Sequence, residues 1–130
     1  MDVVEISSQR RRQLIDITRF VQEAVAGSEV SEGLCVVYVP HTTAAVTLNE
    51  NADPAVGDDL LEAWAALVPA IRWRHAEGNS DAHLLSSLIG ASVTVPVSEG
   101  ELALGRWQAI FLVELDGPRR REVWVSCLRA

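Results

Sequence analysis

The chain has 130 residues, of which 48% are hydrophobic and 22% are charged, and its formal net charge is −7. This length suits one domain, residues 1–130, and is too short for two separate cores. Every basic residue is an arginine, so a lysine Schiff base and the lysine-dependent P-loop are both excluded. The acidic balance also argues against general binding of nucleic acid, which needs a positive surface.

Two features of the sequence predict a cytoplasmic protein. The segment Met1-Asp2-Val3-Val4-Glu5 lacks the basic and then apolar layout of a secretory signal. The longest uncharged apolar run is far shorter than a membrane span, so no membrane partner is expected. Cys35 and Cys127 each lie in a Val/Leu-rich segment without a nearby second cysteine, which predicts buried free thiols rather than a disulfide or a zinc ribbon.

The first part of the chain contains four predicted strands and one short helix. Strands over residues 3–7 and 13–17 are expected to pair with each other. A helix follows, capped by Thr18 and ended by Gly27, because glycine readily takes the left-handed conformation that stops a helix. The next two predicted strands, residues 34–40 and 44–48, flank His41.

Two helices are predicted in the middle of the chain. Asp53-Pro54 is a strong start signal, because aspartate caps a helix and proline fits its first position. This helix should run to about Leu67, and its expected inner face carries Val56, Leu60, Leu61, Trp64 and Leu67. A shorter helix starts at Asn79 or Ser80 and ends at Gly90, with an expected inner face of Leu84, Leu85 and Leu88.

The last part of the chain contains four more predicted strands, over residues 92–97, 101–104, 107–115 and 122–128. The last two are expected to form a hairpin through Asp116-Gly117-Pro118. Short turns between successive strands favour antiparallel pairing, and long apolar runs such as residues 34–39 indicate two packed layers or a sheet face covered by another subunit. The predicted fold class is therefore α+β, a mainly antiparallel β-sandwich or jelly-roll-like sheet with two or three helices.

All three histidines lie in polar junctions at the edges of apolar runs. His41 precedes two threonines, while His75 and His83 bound a segment that also holds Glu77 and Asn79. Imidazole is both a common metal ligand and a common acid/base group near neutral pH. We therefore predict that the three rings meet in one pocket. There they either hold a divalent metal, with zinc preferred, or form a metal-free polar site.

Three further side chains are candidates for catalysis. Glu50 has no evident structural role beside the capping Asp53, so it is interpreted as a general base or as a partner that orients a histidine. Glu77 lies between two histidines and is a second acid/base candidate. Gln108 stands at the start of a predicted strand, where it either orients a ligand or binds a neighbouring backbone group.

Arginines and backbone amides are the groups available to hold an anion. Arg119 and Arg121 are predicted to bind substrate, because guanidinium groups recognise phosphate and carboxylate with paired hydrogen bonds. Asn79 and Ser80 lie at the start of a predicted helix, where free N–H groups favour an anion. The earlier run Arg10-Arg11-Arg12 is interpreted as a solvated loop or strand edge.

At these segments the chain closely resembles the YjbQ-like family, also called the secondary thiamine-phosphate synthase family. The matching stretches are residues 41–54, 77–83, 96–100, 107–108 and 114–119. The resemblance implies a homotrimer of α+β subunits, with a metal or anion site around the histidines and near a subunit interface. It also implies a weak ability to join a pyrimidine diphosphate to a thiazole phosphate. Arg106 stands where many members carry threonine or serine.

Three functional hypotheses follow. The first is a metal-dependent enzyme that acts on a small phosphorylated molecule, with the histidines on the metal, Glu50 or Glu77 as acid/base group, and Arg119 or Arg121 on the anion. The second is a non-catalytic module that binds a metabolite or metal in the same pocket. The third assigns the histidines to an oligomer interface, where acidification would break the assembly.

Overall fold

The computed structural model describes residues 1–130 and contains eight strands and three helices. The strands are β1 (Asp2–Ser7), β2 (Gln13–Asp16), β3 (Gly33–Tyr38), β4 (Ala44–Glu50), β5 (Ser92–Ser98), β6 (Glu101–Leu102), β7 (Gln108–Glu114) and β8 (Arg120–Arg129). The helices are α1 (Thr18–Ser28), α2 (Pro54–Leu67) and α3 (Ser80–Ile89). None of the helices has both the length and the apolar character that crossing a membrane requires.

Two antiparallel sheets form the framework. The larger sheet has the strand order β1-β8-β3-β5-β6, and the smaller has the order β2-β7-β4. Buried side chains of both sheets and of α1 make up the main core, which includes Val37 and Val125 from the larger sheet and Ile110 and Leu112 from the smaller. The predicted α+β class with antiparallel layers is confirmed.

Two predicted strand pairings are wrong. β1 pairs with β8 and β2 pairs with β7, so the first two strands belong to different sheets. The connection over residues 115–119 is not a hairpin either, because it carries the chain from β7 in the smaller sheet to β8 in the larger. A Cβ at Gly117 would lie only 2.3 Å from the carbonyl oxygen of Arg10. This crossing therefore needs a glycine where two chain segments approach closely.

Helices α2 and α3 begin where the sequence predicts. The Asp53 carboxylate accepts a hydrogen bond of 2.9 Å from the N–H of Ala55, and Pro54 occupies the first helical position. Asn79 immediately precedes α3, and Gly90 follows it. These start signals are local, since the residues that satisfy the end of a helix lie next to it in sequence.

The predicted end of α1 and parts of the predicted inner faces are wrong. α1 continues through Gly27, and Glu29 takes the left-handed conformation after it, with φ of 59°. Leu88 of α3 is 64% exposed. No residue of α2 is fully buried, although Trp64 packs at the edge of a second small core.

Both cysteines are free thiols, as predicted. They occupy directly opposite positions on β3 and β8, with Cys35 fully buried and Cys127 half-buried. Burial, together with the neighbouring Cys127, raises the pKa of the Cys35 thiol to about 12. Cys35 therefore serves as a small core residue rather than as a nucleophile.

Candidate functional site

The three histidines line two adjoining surface cavities of about 440 and 520 Å³. His75 and His83 line the smaller cavity, and His41 and His83 line the larger. His83 and Ser87 belong to both, so the cavities share a wall formed by one face of α3. We call the surface formed by these two cavities the histidine groove.

His75 and His83 are direct neighbours in the groove. Their ring centroids lie 5.3 Å apart in an edge-to-face arrangement. His75 Nδ1 is 3.1 Å from the Ser80 hydroxyl, and His75 Nε2 is 3.8 Å from a carboxylate oxygen of Glu77. The loop before α3 bends at Gly78, where φ is 79°, and so returns His75 to the start of the helix that carries His83.

His41 follows β3 and is held by the backbone of β8. The N–H of Glu122 donates a hydrogen bond of 2.9 Å to His41 Nε2. Burial and the charge of Arg121 lower the pKa of His41 below its ordinary value, and the carboxylates of Glu122 and Glu114 only partly oppose them. His41 is therefore neutral at neutral pH, and its ring proton lies on Nδ1 because Nε2 is an acceptor.

The three histidines do not form a metal centre within this chain. No group of three or more His, Cys, Asp or Glu side chains is arranged to hold a metal ion. His41 Nε2 is occupied by the Glu122 N–H, and binding through Nδ1 would require that nitrogen to lose its proton as well. The donor set of one subunit therefore does not fit a three-histidine metal site.

A buried ion pair lies behind His41. The Glu114 carboxylate accepts hydrogen bonds from Arg121 Nε at 2.9 Å and from the Ser8 hydroxyl at 2.6 Å. Arg121 Nη2 also donates to Glu114 and to both the carbonyl and the hydroxyl oxygen of Thr43, at 3.0 and 2.9 Å. Burial alone would raise the pKa of Glu114, but the hydrogen bonds from Arg121 and Ser8 lower it below its ordinary value.

This geometry changes the role predicted for Arg121. The side chain of Arg121 is only 5% exposed, and two of its three nitrogens bind Glu114 or Thr43. Arg121 is therefore an internal support for the His41 turn in this chain, and little of its side chain is exposed to a ligand. The arginine triplets of a sequence look alike, but burial separates Arg121 from its exposed neighbour Arg120.

The other predicted anion-binding residues surround the start of α3. Arg119 donates to Asp116 through Nε and Nη2, at 2.7 and 2.9 Å. Asn79 Nδ2 also donates to Asp116, at 2.9 Å, and Asn79 Oδ1 is buried without a partner. The side chain of Arg119 remains 53% exposed, so it can still attract an anion. Ser80 is buried and orients His75 through its hydroxyl.

The first arginine run is more than a solvated edge. Arg11 and Arg12 both bind the Asp81 carboxylate, with Nη2 to oxygen distances of 3.1 and 2.5 Å. Asp81 lies in the first turn of α3. The two arginine runs of the sequence thus converge on the same helix start, one through Asp81 and the other through Asp116 and Asn79.

Glu50 and Gln108 do not join the histidines. They are paired across β4 and β7, at the end of the smaller sheet away from His41. Glu50 lines a different cavity of about 400 Å³, together with the acidic residues Asp16, Asp53 and Asp58. Gln108 Oε1 accepts a hydrogen bond of 2.8 Å from the N–H of Gly105, so of its two predicted roles the contact with a neighbouring backbone group is the one observed.

Comparison with known proteins places this fold and these residues in a family. The family model described as UPF0047 protein YjbQ-like matches residues 2–130. The chain belongs to the YjbQ-like family. A UPF0047 protein of Methanocaldococcus jannaschii is 48% identical over 126 residues, which cover 95% of this chain and 91% of the relative. The UPF0047 protein YugU of Bacillus subtilis is 41% identical, with 98% of each chain covered.

Two solved structures of YjbQ-like proteins have the same fold. One, an uncharacterized conserved protein of Clostridium acetobutylicum, gives a TM-score of 0.95 at 43% identity and covers 98% of this chain and 100% of its own. Another, from Sulfolobus solfataricus P2, gives a TM-score of 0.94 at 38% identity, with 99% and 96% covered. The latter is described as a protein of unknown function. The function of this YjbQ-like chain must therefore be argued from its groove.

Two residues that support the His41 turn, Glu114 and Thr43, are not among the residues predicted from the sequence. Glu114 ends β7, whose preceding residues are almost all buried, and its own side chain is fully buried. A buried carboxylate must be paired with a basic or hydrogen-bonding group. A carboxylate at the end of a continuous apolar run therefore predicts a basic partner such as arginine. Nothing local to Thr43 indicates its contact, because Arg121 lies 78 residues further along the chain.

Proposed function

We propose that this YjbQ-like protein binds a small phosphorylated molecule in the histidine groove and acts on it by acid/base chemistry. The observation that carries the proposal is the placement of His41, His75 and His83 along one groove beside the first turn of α3. A helix start attracts anions, and imidazoles exchange protons near neutral pH. An enzyme that transfers or cleaves a phosphate-bearing group needs both properties.

His75 and His83 are the proposed proton-transfer groups. Their rings are adjacent, and a carboxylate oxygen of Glu77 lies 3.8 Å from His75 Nε2. The Ser80 hydroxyl holds the other nitrogen of His75 and so fixes the ring plane. In this scheme Glu77 assists His75, whereas Glu50 has no role at the groove because it lines another cavity.

The phosphate is proposed to lie at the start of α3. The first backbone N–H groups of α3, those of Ser80 and Asp81, supply hydrogen bonds there, since those of Ala82 and His83 already donate to the Asn79 carbonyl. Arg119, which shares Asp116 with Asn79, adds a positive charge. Trp73, which is 39% exposed and lines the smaller cavity, offers a ring face for the apolar part of the molecule. This division of the groove suits a ligand with one anionic end and one planar or apolar end.

A divalent metal, with zinc preferred, is a separate proposal that concerns only His75 and His83. His41 is excluded from it by the hydrogen bond at Nε2, so a bound ion would take its remaining ligands from the substrate, water or another subunit. The thiamine-phosphate synthase side activity implied by the family resemblance is one version of the proposed chemistry. In it, the α3 start and Arg119 would hold the departing pyrophosphate.

We also propose that the chain forms a homotrimer, as the resemblance implies. Its support is the outer face of the larger sheet, where Leu34 and Leu128 face each other across β3 and β8 and are 47% and 55% exposed. On the same face Tyr38 and Trp124 pack with ring centroids 5.8 Å apart. Light scattering should give three times the 14.2 kDa chain mass, and Leu34→Glu should lower it.

The binding proposal is tested with pyrophosphate as the probe. Thermal denaturation should shift to higher temperature with pyrophosphate in the wild type, and His83→Gln should reduce the shift strongly. Glu50→Gln is the matched control, because it changes a carboxylate in another cavity and should leave the shift unchanged. Absence of stabilisation in the wild type, or an equal loss in Glu50→Gln, contradicts the proposal.

Turnover separates the enzyme from a binding module. Product formation from a phosphorylated substrate pair such as the pyrimidine diphosphate and thiazole phosphate, lost in His75→Gln, supports the enzyme. Stabilisation by the same compounds without any product over long incubation supports the module instead. Metal analysis of untagged protein, before and after His83→Gln, tests the separate metal proposal.

A further inference from the structure

We infer that His41 is a fixed hydrogen-bond donor of the groove, neutral and protonated on Nδ1, and that it recognises an oxygen acceptor of the ligand. This role differs from that of a metal ligand or a general base. The nature of the acceptor, a phosphate oxygen, rests on the proposed function. The tautomer and the support for it rest on the geometry of this chain alone.

The hydrogen bond between the Glu122 backbone and the His41 ring determines the tautomer of His41. A backbone N–H can only donate, so the ring nitrogen that faces it at 2.9 Å must be an acceptor. In neutral imidazole the proton is then on Nδ1, which is a donor. A proton or a metal ion at Nε2 would displace the Glu122 N–H, which would then lose its partner.

The turn that carries His41 is held at both ends by hydrogen bonds. Glu122 fixes the His41 ring, and the adjacent Arg121 fixes Thr43 through its carbonyl and hydroxyl oxygens. The N–H of Leu115 also donates to the Thr43 carbonyl, at 3.3 Å. Two successive residues of β8 thus hold both ends of the turn, and the ring is already oriented before any ligand binds.

Charged groups around the His41 ring act on its protonation in both directions. Arg121 disfavours a positive His41, while the carboxylates of Glu114 and Glu122 favour it. The negative charge of Glu114 is already paired with the positive charge of Arg121. His83, across the larger cavity, is the other titratable group on that wall. A protonated His41 would in addition point an N–H at the Glu122 N–H, so the neutral form is favoured by geometry as well as by charge.

The larger cavity is lined by side chains whose hydrogen-bond donors are partly used within the protein. The Ser86 hydroxyl donates to the Thr42 carbonyl at 2.7 Å, and the Ser87 hydroxyl donates to the His83 carbonyl at 2.9 Å. Both serine hydroxyls therefore donate their hydrogen bonds to backbone carbonyls and offer only acceptor sites to a ligand. The His41 Nδ1–H and the Thr42 hydroxyl are side-chain donors on this wall, together with the ring N–H of His83, and such donors suit a ligand oxygen.

The direct test is nitrogen NMR of protein labelled with ¹⁵N-histidine, without any ligand. The His41 signals are assigned by their loss in His41→Asn. We expect Nδ1 to carry the proton and Nε2 to be unprotonated at neutral pH, and this pattern should persist when zinc is added. Protonation of Nε2, a doubly protonated ring at neutral pH, or a zinc-induced change of the His41 signals would overturn the inference.

A pair of variants tests the donor function with pyrophosphate as the probe. His41→Asn keeps an N–H donor near the position of Nδ1, whereas His41→Gln places its amide further out, near the position of Nε2. Pyrophosphate affinity should fall only a few-fold in His41→Asn and by about tenfold or more in His41→Gln. An equal loss in both folded variants contradicts a donor at Nδ1. If wild-type protein binds no pyrophosphate, the proposed function fails, and the NMR pattern still decides the state of His41.

Discussion

Glu114 at the end of β7 and Arg121 in β8 form a buried ion pair that joins the two sheets. Arg121 Nη2 lies 2.5 Å from a carboxylate oxygen of Glu114, and the two side chains are 5% and 0% exposed. The same arginine binds Thr43, two residues after His41. The ion pair therefore couples the packing of the two sheets to the wall of the histidine groove.

Removal of one member of this pair should be strongly destabilising. Arg121→Met leaves the Glu114 carboxylate buried without its main partner, so the free energy of unfolding should fall by about 3–5 kcal/mol. Denaturant unfolding measures the change. Arg120→Met is the matched control, because Arg120 is exposed on the same strand and its loss should change stability by less than about 0.5 kcal/mol.

The double variant Glu114→Met with Arg121→Met gives a further check on the same pair. It removes both charges together, so it should be less destabilised than the sum of the two single variants. Simple addition of the two single effects would show that Glu114 and Arg121 do not stabilise each other.

Acid should destabilise the protein through its hydrogen-bonded carboxylates. Burial raises the pKa values of Glu114 and Asp116, but their hydrogen bonds prevail and lower both below the ordinary values of 4.5 and 3.8. Their stabilising effect is complete above those ordinary values and is lost as the pH falls through the lowered ones. His41, whose pKa is also lowered, adds a loss that begins below 6.5, because the unfolded chain takes up that proton first.

Unfolding free energy measured across this acidic range should therefore fall as the pH decreases. In Glu114→Gln the decline below pH 4.5 should be shallower, although the variant is less stable at neutral pH. Glu101→Gln, at an exposed position, should keep the wild-type slope. Identical slopes in the wild type and Glu114→Gln would assign the acid sensitivity to other groups.

Two glycine substitutions should have opposite effects. A Cβ at Gly117 would lie 2.3 Å from the Arg10 carbonyl oxygen and 2.7 Å from the Ser8 hydroxyl, so Gly117→Ala should lower the melting temperature markedly. Gly27 lies inside α1 with no atom within 4 Å of an added Cβ. Gly27→Ala should stabilise the protein by about 0.5–1 kcal/mol, because alanine favours a helix. Destabilisation by Gly27→Ala would instead support the prediction from the sequence that the helix ends at Gly27.

The contacts of Asp81 with Arg11 and Arg12 should have a moderate effect. Asp81→Asn weakens both ion pairs and removes a favourable charge from the first turn of α3, so stability should fall by about 1 kcal/mol. High salt should reduce the difference from the wild type, since Arg11 is 55% exposed. Asp59→Asn on exposed α2 is the control, and an equal change there would show that the Asp81 contacts are unimportant.

Local signals in the sequence predicted the elements well and their pairing poorly. The start of α2 follows from Asp53 and Pro54, which act within one turn, and that prediction is confirmed. The partner of β7 does not follow from its own residues. A short connection to β8 resembles a hairpin, yet it crosses between sheets: β7 pairs with β2 and β4, and β8 pairs with β1 and β3.

The groove was predictable to the extent that it is built from one short segment. His75 and His83 lie eight residues apart around a bend at Gly78, so their proximity follows from local geometry. The environment of His41 depends on β8, some 80 residues later in the chain, and no local pattern indicates that its Nε2 is occupied. Arg121 shows the same limit, since only tertiary burial distinguishes a support for the fold from a clamp for an anion.

The facing positions of Cys35 and Cys127 have a practical consequence. With a pKa of about 12, roughly one Cys35 side chain in a hundred thousand is ionised at neutral pH. The thiolate anion is the form that reacts with alkylating reagents, so these should modify the partly accessible Cys127 long before its buried neighbour. A single dye can therefore be attached to the protein at one known place, the Cys127 side chain.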